Sequence, residues 1–277
     1  MNRKVHFLLW TSATHQKTLC DQLNAAARGR WWVRLFHRDA RARRAITRPE
    51  MPEKAFFSSW NICSIGDKKA ELGMFLSEEK VAVLALQEVC CSVDDRRLSL
   101  HGYQSVIGGV DASRKGARGV SLLIRRDLVA AELGEPDGNL AWAKVLLGPK
   151  FWLFASVYIP QKLHHRERER VLERVHSDLL RLTSRFAAYP LVLAGDFNSS
   201  LIEVERWLKS LRPRLDLRLL PFRGSPVTWY RRNWTRSTAI DHMVVNGAAF
   251  AALCHCVVNR TWDTSDHFTI LTKVETS

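Results

Sequence analysis

The stretch LVLAGDFNSS, residues 191–200, begins with four apolar residues. It then continues with Gly195 and with polar residues on both sides of Phe197. A short apolar run closed by glycine predicts a buried core strand. Asp196 and Asn198 then follow the carboxyl end of that strand, at the edge of the sheet. One interpretation is an Asx-turn, because both residue types favour turns. The other interpretation is a functional site built at a strand end.

The composition limits the class of protein. The 277 residues suit one large or two small domains, and a hydrophobic content of 46% supports a substantial core. No run approaches the roughly 20 apolar residues that span a bilayer, so we expect a soluble protein with no membrane partner. The 42 Lys and Arg against 28 Asp and Glu give a net charge of +14. This charge favours a polyanionic partner, first nucleic acid and second an anionic membrane.

The six cysteines include no C-x-x-C pair. The segment Cys254-His255-Cys256 is spaced too tightly for the usual zinc pattern. We therefore expect reduced, mostly buried thiols in an intracellular protein.

The positive charge is concentrated at the start of the chain. Residues 1–50 hold 11 Lys and Arg against three acids, which is a net charge of +8. The basic run ends at Pro49 and Pro52, and we interpret residues 1–52 as a poorly ordered basic extension with weak phosphate affinity. An organellar transit peptide and a nucleic-acid-binding arm are the alternatives. Residues 53–277 are predicted to form the folded domain.

Beyond residue 54 the pattern predicts many strands and few helices. Strands are predicted at residues 55–62, 81–89, 119–128, 141–148, 151–160 and 191–198, and in PVTWY, AIDHMVVN, HCVVNR and DHFTILTKV. Helices are predicted at residues 67–80, 165–186 and near 202–211. Mixed strands with hairpin-length connections predict sheet packed on sheet, with helices outside. No G-x-G-x-x-G follows a strand, so a Rossmann fold fits poorly.

Polar residues recur at the ends of these predicted strands. They are Asn61, Glu88, Tyr158, Asp196, Asn198, Asp241, Asp266 and His267. Glu88 alone could be a surface acid, and His267 alone could be a satisfied core histidine. Asp241 lies in an apolar strand, where a buried carboxylate needs a partner, and a neighbouring histidine would supply one. Together these residues could converge on one edge of a two-sheet core.

The motifs SWNI, LQEV, VYIP, GDFNSS, IDHMVV and SDHFTI, in this order, resemble the endonuclease/exonuclease/phosphatase superfamily. That superfamily includes AP endonucleases, DNase I, poly(A) deadenylases, sphingomyelinases and inositol phosphatases. The resemblance covers residues 55–274, essentially everything after the basic extension. It implies a DNase I-like fold, a four-layered α/β-sandwich of two packed mixed β-sheets flanked by helices. It also implies a divalent ion at the strand ends.

Within the superfamily, the chain is most similar to the AP-endonuclease-like domain of non-LTR (LINE-type) retrotransposons. The likeness rests on W-N before the helix KKAELGMFLSEEK, on VAVLALQEV, GY and GVSLLIRRDL, and on PVTW shortly before STAIDH. The segment SVYIPQK holds Tyr158 but lacks the histidine that DNase I and the deadenylases carry close after this strand. Cys63 stands where many AP endonucleases have an aspartate, which weakens a role in abasic-site repair more than it weakens catalysis.

The resemblance implies a Mg²⁺ cofactor, with Mn²⁺ as the alternative ion. Glu88 is the expected principal ligand, with Asp266 and Asn61 in support. Mg²⁺ usually keeps several waters, so two or three protein oxygens are sufficient. The ion would neutralise the charge that develops on a phosphodiester and stabilise the leaving oxygen.

The remaining strand-end residues are expected to act on the phosphate and the water. Asp196 is placed to orient or deprotonate the attacking water, and Asn198 to hold a phosphate oxygen. His267 either donates to a non-bridging oxygen or acts as a base. Asp241 pairs with His267, fixes its tautomer and raises its pKa. Tyr158 hydrogen-bonds the phosphate or assists the leaving group.

DNA contacts are expected from two basic loops near this edge, RRNWTR (231–236) and SRKGAR (113–118). Arginine beside tryptophan suits phosphate pairing combined with base stacking or groove insertion. The predicted contacts are Arg114, Lys115, Arg118, Trp229, Arg231, Arg232, Trp234 and Arg236. The alternative for each loop is a solvated surface segment.

The sequence therefore predicts a metal-dependent endonuclease that nicks DNA and leaves 3′-hydroxyl and 5′-phosphate ends. The expected partners are DNA and a reverse transcriptase encoded by the same element, and we expect a nuclear monomer. A phosphatase or sphingomyelinase of the same superfamily is one alternative, although the basic surface and the PVTW loop count against it. A decayed domain that only binds nucleic acid is the other, although all the expected side chains are present.

Overall fold

The structure is a computed structural model that describes residues 54–90, 98–108, 119–231, 235–253, 255–262 and 264–275. The basic extension (residues 1–52), the loop at 113–118, Arg232 and Trp234 lie outside these residues. The boundary between extension and domain therefore stays a prediction. Within the described part of the chain, no helix is both long enough and apolar enough to cross a bilayer.

The first half of the domain contains seven strands and one helix in its described part. They are β1 (Lys54–Asn61), α1 (Lys69–Glu78), β2 (Val81–Gln87), β3 (Tyr103–Ile107), β4 (Val120–Arg125), β5 (Ala130–Asp137), β6 (Leu140–Leu147) and β7 (Lys150–Tyr158). All the strands and the helix predicted here from the sequence are present. β3 and β5 were not predicted.

The second half alternates longer helices with strands before it ends in sheet. Its elements are α2 (His165–Arg185), β8 (Leu191–Asp196), α3 (Leu201–Leu211), β9 (Leu217–Leu219), β10 (Trp229–Tyr230), β11 (Ser237–Thr238), β12 (Asp241–Asn246), α4 (Gly247–Leu253), β13 (Cys256–Asn259) and β14 (Thr269–Glu275). The predicted strands and helices are confirmed, although PVTWY contributes only two residues to β10. β9, β11 and α4 were not predicted.

Two six-stranded mixed sheets form the centre of the domain. The first has the order β13-β14-β1-β2-β4-β3, and the second has the order β5-β6-β7-β8-β12-β9. In each sheet one central pair is parallel, β1 with β2 and β7 with β8, and the other pairs are antiparallel. β10 and β11 pair separately as a short ribbon.

Three apolar clusters separate four layers. The middle cluster lies between the sheets and includes Phe57 of β1 and Phe154 of β7, whose ring centroids are 4.4 Å apart. A second cluster packs α2 and α3 on the outer face of the second sheet. A third packs Leu72, Phe75 and Leu76 of α1 on the outer face of the first sheet. The predicted four-layered α/β-sandwich of the DNase I type is confirmed.

The strand directions bring the polar strand ends to one edge. In the parallel pairs, Asn61 lies beside Gln87 and Tyr158 beside Asp196. Asp241 begins β12, which runs antiparallel to β8, so it also lies beside Asp196. β14 runs antiparallel to β1, so the residues that precede β14 reach the same edge.

Gly195 has a packing role just before this edge. A Cβ atom at this position would lie 1.9 Å from the carbonyl oxygen of Val157 on the neighbouring strand. Any side chain would therefore force β7 and β8 apart, next to Asp196.

Candidate catalytic and metal site

Asn61 links the two sheets at the site. It is fully buried, and its Nδ2 donates to Glu88 Oε1 at 3.1 Å and to Asp196 Oδ2 at 3.0 Å. Its Oδ1 accepts the backbone N–H of Cys63 at 3.1 Å. One amide therefore holds carboxylates from both sheets close together, and the direct binding of a metal by Asn61 stays a prediction.

The loop after β8 is folded around the carboxylate of Asp196. Asp196 Oδ1 accepts the backbone N–H of Asn198 at 2.8 Å, which is the Asx-turn expected from the sequence. Asn198 Nδ2 donates to the carbonyl of Ile159 at 2.9 Å, which ties the loop to the end of β7. Burial, and then the charge of Asp241, raise the pKa of Asp196 to about 7. The turn thus positions a carboxyl group whose pKa suits proton transfer near neutral pH.

Asp241 and His267 form a buried pair. His267 Nδ1 lies 2.9 Å from Asp241 Oδ2 and 3.1 Å from Oδ1, and both residues are almost fully buried. Thr228 Oγ1 accepts the backbone N–H of Asp241 at 3.1 Å and so fixes the start of β12. Burial alone would lower the pKa of His267, but the charge and hydrogen bond of Asp241 outweigh it, and the pKa rises to about 9. The pair fixes the ring orientation and leaves Nε2 as the nitrogen available to another group.

Asp266 is held by two donors. Trp229 Nε1 donates to its Oδ2 at 3.1 Å, and the thiol of Cys63 donates to its Oδ1 across 2.9 Å. Burial, and then the hydrogen bond to Asp266, raise the pKa of Cys63 to about 12, so the thiol keeps its proton. Asp266 is half-buried, and it therefore stays accessible from the solvent.

These side chains could hold a divalent cation. The ligand atoms of Asp196, Asp241 and His267 lie within 4.8 Å of one another, and so do those of Cys63, Asp266 and His267. Converging carboxylate oxygens suit Mg²⁺ and Mn²⁺. The donor set therefore fits a bound ion.

Backbone strain is concentrated around this edge. Cys63, Ser64, Glu88 and Asn198 have positive φ angles of 48°, 77°, 51° and 45°. Non-glycine residues occupy this region at a cost and do so most often at functional sites. Glu88 is one of the carboxylates of the site, Cys63 contacts Asp266, and Asn198 contacts Asp196. The strained backbone therefore helps to place the carboxylates.

The back of the Asp196 loop is supported by a second set of contacts. Arg168, in the first turn of α2, donates to the carbonyls of Pro160 at 2.7 Å and Phe197 at 3.3 Å, and also to Ser199 Oγ. His242 is fully buried, and its Nε2 lies 2.8 Å from the carbonyl of Ser199. Arg168 is therefore a positioning residue for this loop.

Replacing Arg168 by glutamine should slow turnover without weakening substrate binding. The loop would lose its guanidinium contacts, and a displacement of about 1 Å at a reacting group can cost about a hundredfold in rate. We expect a rate at saturating substrate that is reduced about tenfold to a hundredfold, with an unchanged dissociation constant for the substrate. Arg170→Gln, on the exposed side of α2 and 3.9 Å from Asp137, is the matched control. A wild-type rate for Arg168→Gln, or a loss confined to affinity, would contradict the positioning role.

All eight predicted catalytic and metal residues meet at this edge. Apart from Asp266, each of these residues is connected to another of the eight by a hydrogen bond or by strand pairing, and Asp266 is connected to Asn61 through Cys63. The eight residues are Asn61, Glu88, Tyr158, Asp196, Asn198, Asp241, Asp266 and His267. Their individual roles stay predictions.

The predicted DNA contacts are only partly described. Arg231 and Arg236 are exposed at the ribbon of β10 and β11, where Arg231 N donates to Arg236 O at 2.8 Å. Trp229 is half-buried, and its indole N–H is used by Asp266, so it supports the site as well as lining it. Arg114, Lys115, Arg118, Arg232 and Trp234 lie outside the described residues.

Three residues that support the site, Cys63, Arg168 and His242, were not predicted from the sequence. Cys63 was noted only as a departure from the related motif, although its thiol contacts Asp266. Arg168 and His242 lie in segments that were interpreted as a helix and a buried strand. The run IDHM (240–243) places two different ionisable groups in an apolar strand, and that was the available signal for His242.

The family model of the Endonuclease/Exonuclease/phosphatase family matches residues 58–267. This match covers most of the chain, including every strand end of the site. The chain belongs to the Endonuclease/Exonuclease/phosphatase family, whose members hydrolyse phosphodiesters or phosphate esters and generally depend on divalent metals. No curated protein sequence matches the chain significantly.

Several solved structures share the fold. The AP endonuclease LMAP from Leishmania major has 16% identity and a TM-score of 0.67, over 80% of this chain and 88% of that one. The endonuclease domain of TRAS1, a telomere-specific non-LTR retrotransposon, has 14% identity and a TM-score of 0.64, over 81% and 100%. The APE2 catalytic domain from Xenopus laevis has 15% identity and a TM-score of 0.63, over 79% and 91%. At these identities the likeness establishes the fold alone.

Proposed function

We propose that this protein is a Mg²⁺-dependent endonuclease that nicks DNA and leaves 3′-hydroxyl and 5′-phosphate ends. The observation that carries the proposal is the buried pair of His267 and Asp241, set beside Asp196 and the Asn61-linked carboxylate of Glu88. This arrangement offers an oriented imidazole, a carboxyl group for the water and acidic ligands for an ion within one edge.

Each side chain has a task in this proposal. Glu88 and Asp266 supply anionic oxygens to the metal, which would neutralise the charge that develops on the phosphate. Asp196 orients the attacking water and accepts its proton, because a raised pKa makes its carboxylate a stronger base than an ordinary aspartate. His267, with its pKa raised to about 9, donates from Nε2 to a non-bridging oxygen.

Two residues complete the phosphate site. Asn198 holds a phosphate oxygen in reach of the water, and Tyr158, which lies beside Asp196 in the parallel pair, hydrogen-bonds the phosphate or assists the leaving group. Tyr158 ends β7 and Asn198 closely follows β8, and backbone pairing fixes the ends of both strands. The substrate therefore does not have to order either residue.

DNA is favoured as the substrate by charge and by the exposed arginines of the ribbon. The net charge of +14 attracts a polyanion, and Arg231 and Arg236 extend from the same ribbon that carries Trp229. The likeness of the fold to AP endonucleases and to the TRAS1 domain supports the same choice. A monomer in the nucleus, working with a reverse transcriptase of the same element, is the setting that this proposal implies.

The test compares substrates from the classes that the family covers. Purified protein with Mg²⁺ is incubated with supercoiled plasmid, with inositol phosphates and with sphingomyelin vesicles, and the products are quantified. We expect turnover of the plasmid alone. Turnover of either small substrate at a higher rate would favour a phosphatase or sphingomyelinase activity. DNA binding with no turnover of any of the three would indicate a decayed domain that binds only nucleic acid.

Deleting residues 1–52 should weaken DNA binding but leave catalysis intact. The segment carries most of the excess positive charge, so its loss reduces the number of counterions released on binding. The slope of the logarithm of the binding constant against the logarithm of the salt concentration should become shallower by a few units. A chain that starts at Glu53 should keep its rate on saturating DNA, because every proposed catalytic residue lies at or beyond Asn61. Binding affinity and nicking rate are measured across a salt series for both proteins. An insoluble or inactive shortened chain would show that the segment belongs to the folded domain.

A further inference from the structure

Cys63 places a sulfur donor inside a site otherwise built from oxygen and nitrogen. Its Sγ, a carboxylate oxygen of Asp266 and a ring nitrogen of His267 lie within 4.8 Å of one another. The Sγ–Oδ1 distance between Cys63 and Asp266 is 2.9 Å, although the two residues are 203 positions apart in the chain. Two segments, the turn after β1 and the entry to β14, therefore bring three different ligand atoms close together.

Two of these three residues, His267 and Asp266, have outer contacts of the kind that prepare a metal site. Asp241 occupies Nδ1 of His267, which leaves Nε2 as the nitrogen for an ion. Trp229 Nε1 donates to Oδ2 of Asp266 at 3.1 Å and leaves Oδ1 facing the thiol. Metal-binding histidines and carboxylates in proteins are oriented by partners of this kind.

The donor set differs from what Mg²⁺ prefers. Mg²⁺ binds hard oxygen ligands in near-octahedral geometry, whereas one sulfur, one nitrogen and one carboxylate oxygen match Zn²⁺. Cys63 and Asp266 are half-buried, so an ion from solvent can reach these two residues. The same site edge thus offers a hard oxygen set that includes Glu88 and a softer set that includes Cys63.

We propose that Cys63, Asp266 and His267 form a site for Zn²⁺ that shares Asp266 with the proposed Mg²⁺ site and inhibits the enzyme when it is filled. Binding exchanges the thiol proton for the ion, and the proton goes to solvent. The ion then uses the carboxylate of Asp266 and the imidazole of His267, so neither is available for the phosphate. The inhibitory part of the proposal rests on the proposed endonuclease function, whereas the metal site itself does not.

Binding is tested with Co²⁺, a spectroscopic substitute for Zn²⁺. The full chain is stripped of metal and titrated with Co²⁺, and thiolate-to-cobalt charge transfer is followed in the near ultraviolet. We expect a band that saturates at one equivalent, disappears on addition of Zn²⁺ and persists in excess Mg²⁺. The band should be lost in Cys63→Ser and weakened about tenfold or more in affinity in Asp266→Asn. Cys90→Ser, which changes another half-buried thiol at the end of β2, is the matched control and should keep the band.

Inhibition is tested on the same proteins. The Zn²⁺ concentration that halves plasmid nicking in Mg²⁺ should rise about tenfold or more in Cys63→Ser, with each protein normalised to its own rate without Zn²⁺. An absent band in the intact chain, or a band that survives in Cys63→Ser, would overturn the site. A cobalt band in a protein that shows no nicking under any condition would confirm the site and reject the endonuclease function. Equal Zn²⁺ sensitivity of both proteins would reject the inhibitory role.

Discussion

Replacing His267 by glutamine should lower the rate of plasmid nicking by about three orders of magnitude, and Asp241→Asn should lower it almost as far. The double variant should lose no more than His267→Gln alone, because residues that act as one unit give losses that do not multiply. The reason is the geometry of the pair: the carboxylate of Asp241 holds Nδ1 at 2.9 Å in a buried setting and keeps the ring charged. Without it, the imidazole loses both its orientation and its proton.

The measurement is the single-turnover nicking rate of the wild type, both single variants and the double variant. His101→Gln changes an exposed histidine away from the site and serves as the control. Circular dichroism confirms that each variant is folded, since removing one partner of a buried ion pair can destabilise a protein by about 3–5 kcal/mol. If the two losses multiply in a folded double variant, the residues work independently and the pairing has no catalytic role.

Replacing Glu88 by alanine should cost about two orders of magnitude or more in Mg²⁺-dependent nicking. Glu88 Oε1 accepts a hydrogen bond from Asn61 Nδ2 at 3.1 Å. The strained backbone of Glu88, with a φ angle of 51°, places this carboxylate just after β2. The ion would lose its principal anionic ligand, so higher Mg²⁺ concentrations should restore part of the rate. Glu78→Ala, an exposed acid at the end of α1, is the control and should behave as the wild type. Full activity of Glu88→Ala at low Mg²⁺ would show that another residue holds the ion.

The sequence was sufficient to predict the buried strands and the polar residues at their ends. Apolar runs such as VAVLALQ (β2) and LVLAGD (β8) are buried at every position, which is the pattern of a strand covered on both faces. The resemblance of the motifs then ordered these strands into a sandwich. Elements with weak patterns were missed: β5 contains Gly134 and Pro136, which are typical of an edge, and β9 has only three residues.

Long-range contacts within the site could not be predicted from local patterns. The thiol of Cys63 meets Asp266 because β1 and β14 are antiparallel neighbours, and this pairing depends on the whole sheet. The same holds for Arg168, whose guanidinium reaches the Asp196 loop from a different layer. Residue type indicated which chemistry was possible, but strand order determined which groups touch.

The most direct measurement is nicking of supercoiled plasmid by the intact chain in Mg²⁺ and in EDTA, with Asp196→Asn purified in parallel to exclude a contaminating nuclease. Asp196 accepts the N–H groups of Asn61 and Asn198 at the centre of the site, so this variant should be almost inactive. We predict single-strand nicks in Mg²⁺ alone, with 3′-hydroxyl and 5′-phosphate ends that DNA ligase seals. Nicks that form equally in EDTA, that ligase cannot seal, or that Asp196→Asn produces at the wild-type rate would contradict a metal-dependent endonuclease at this edge.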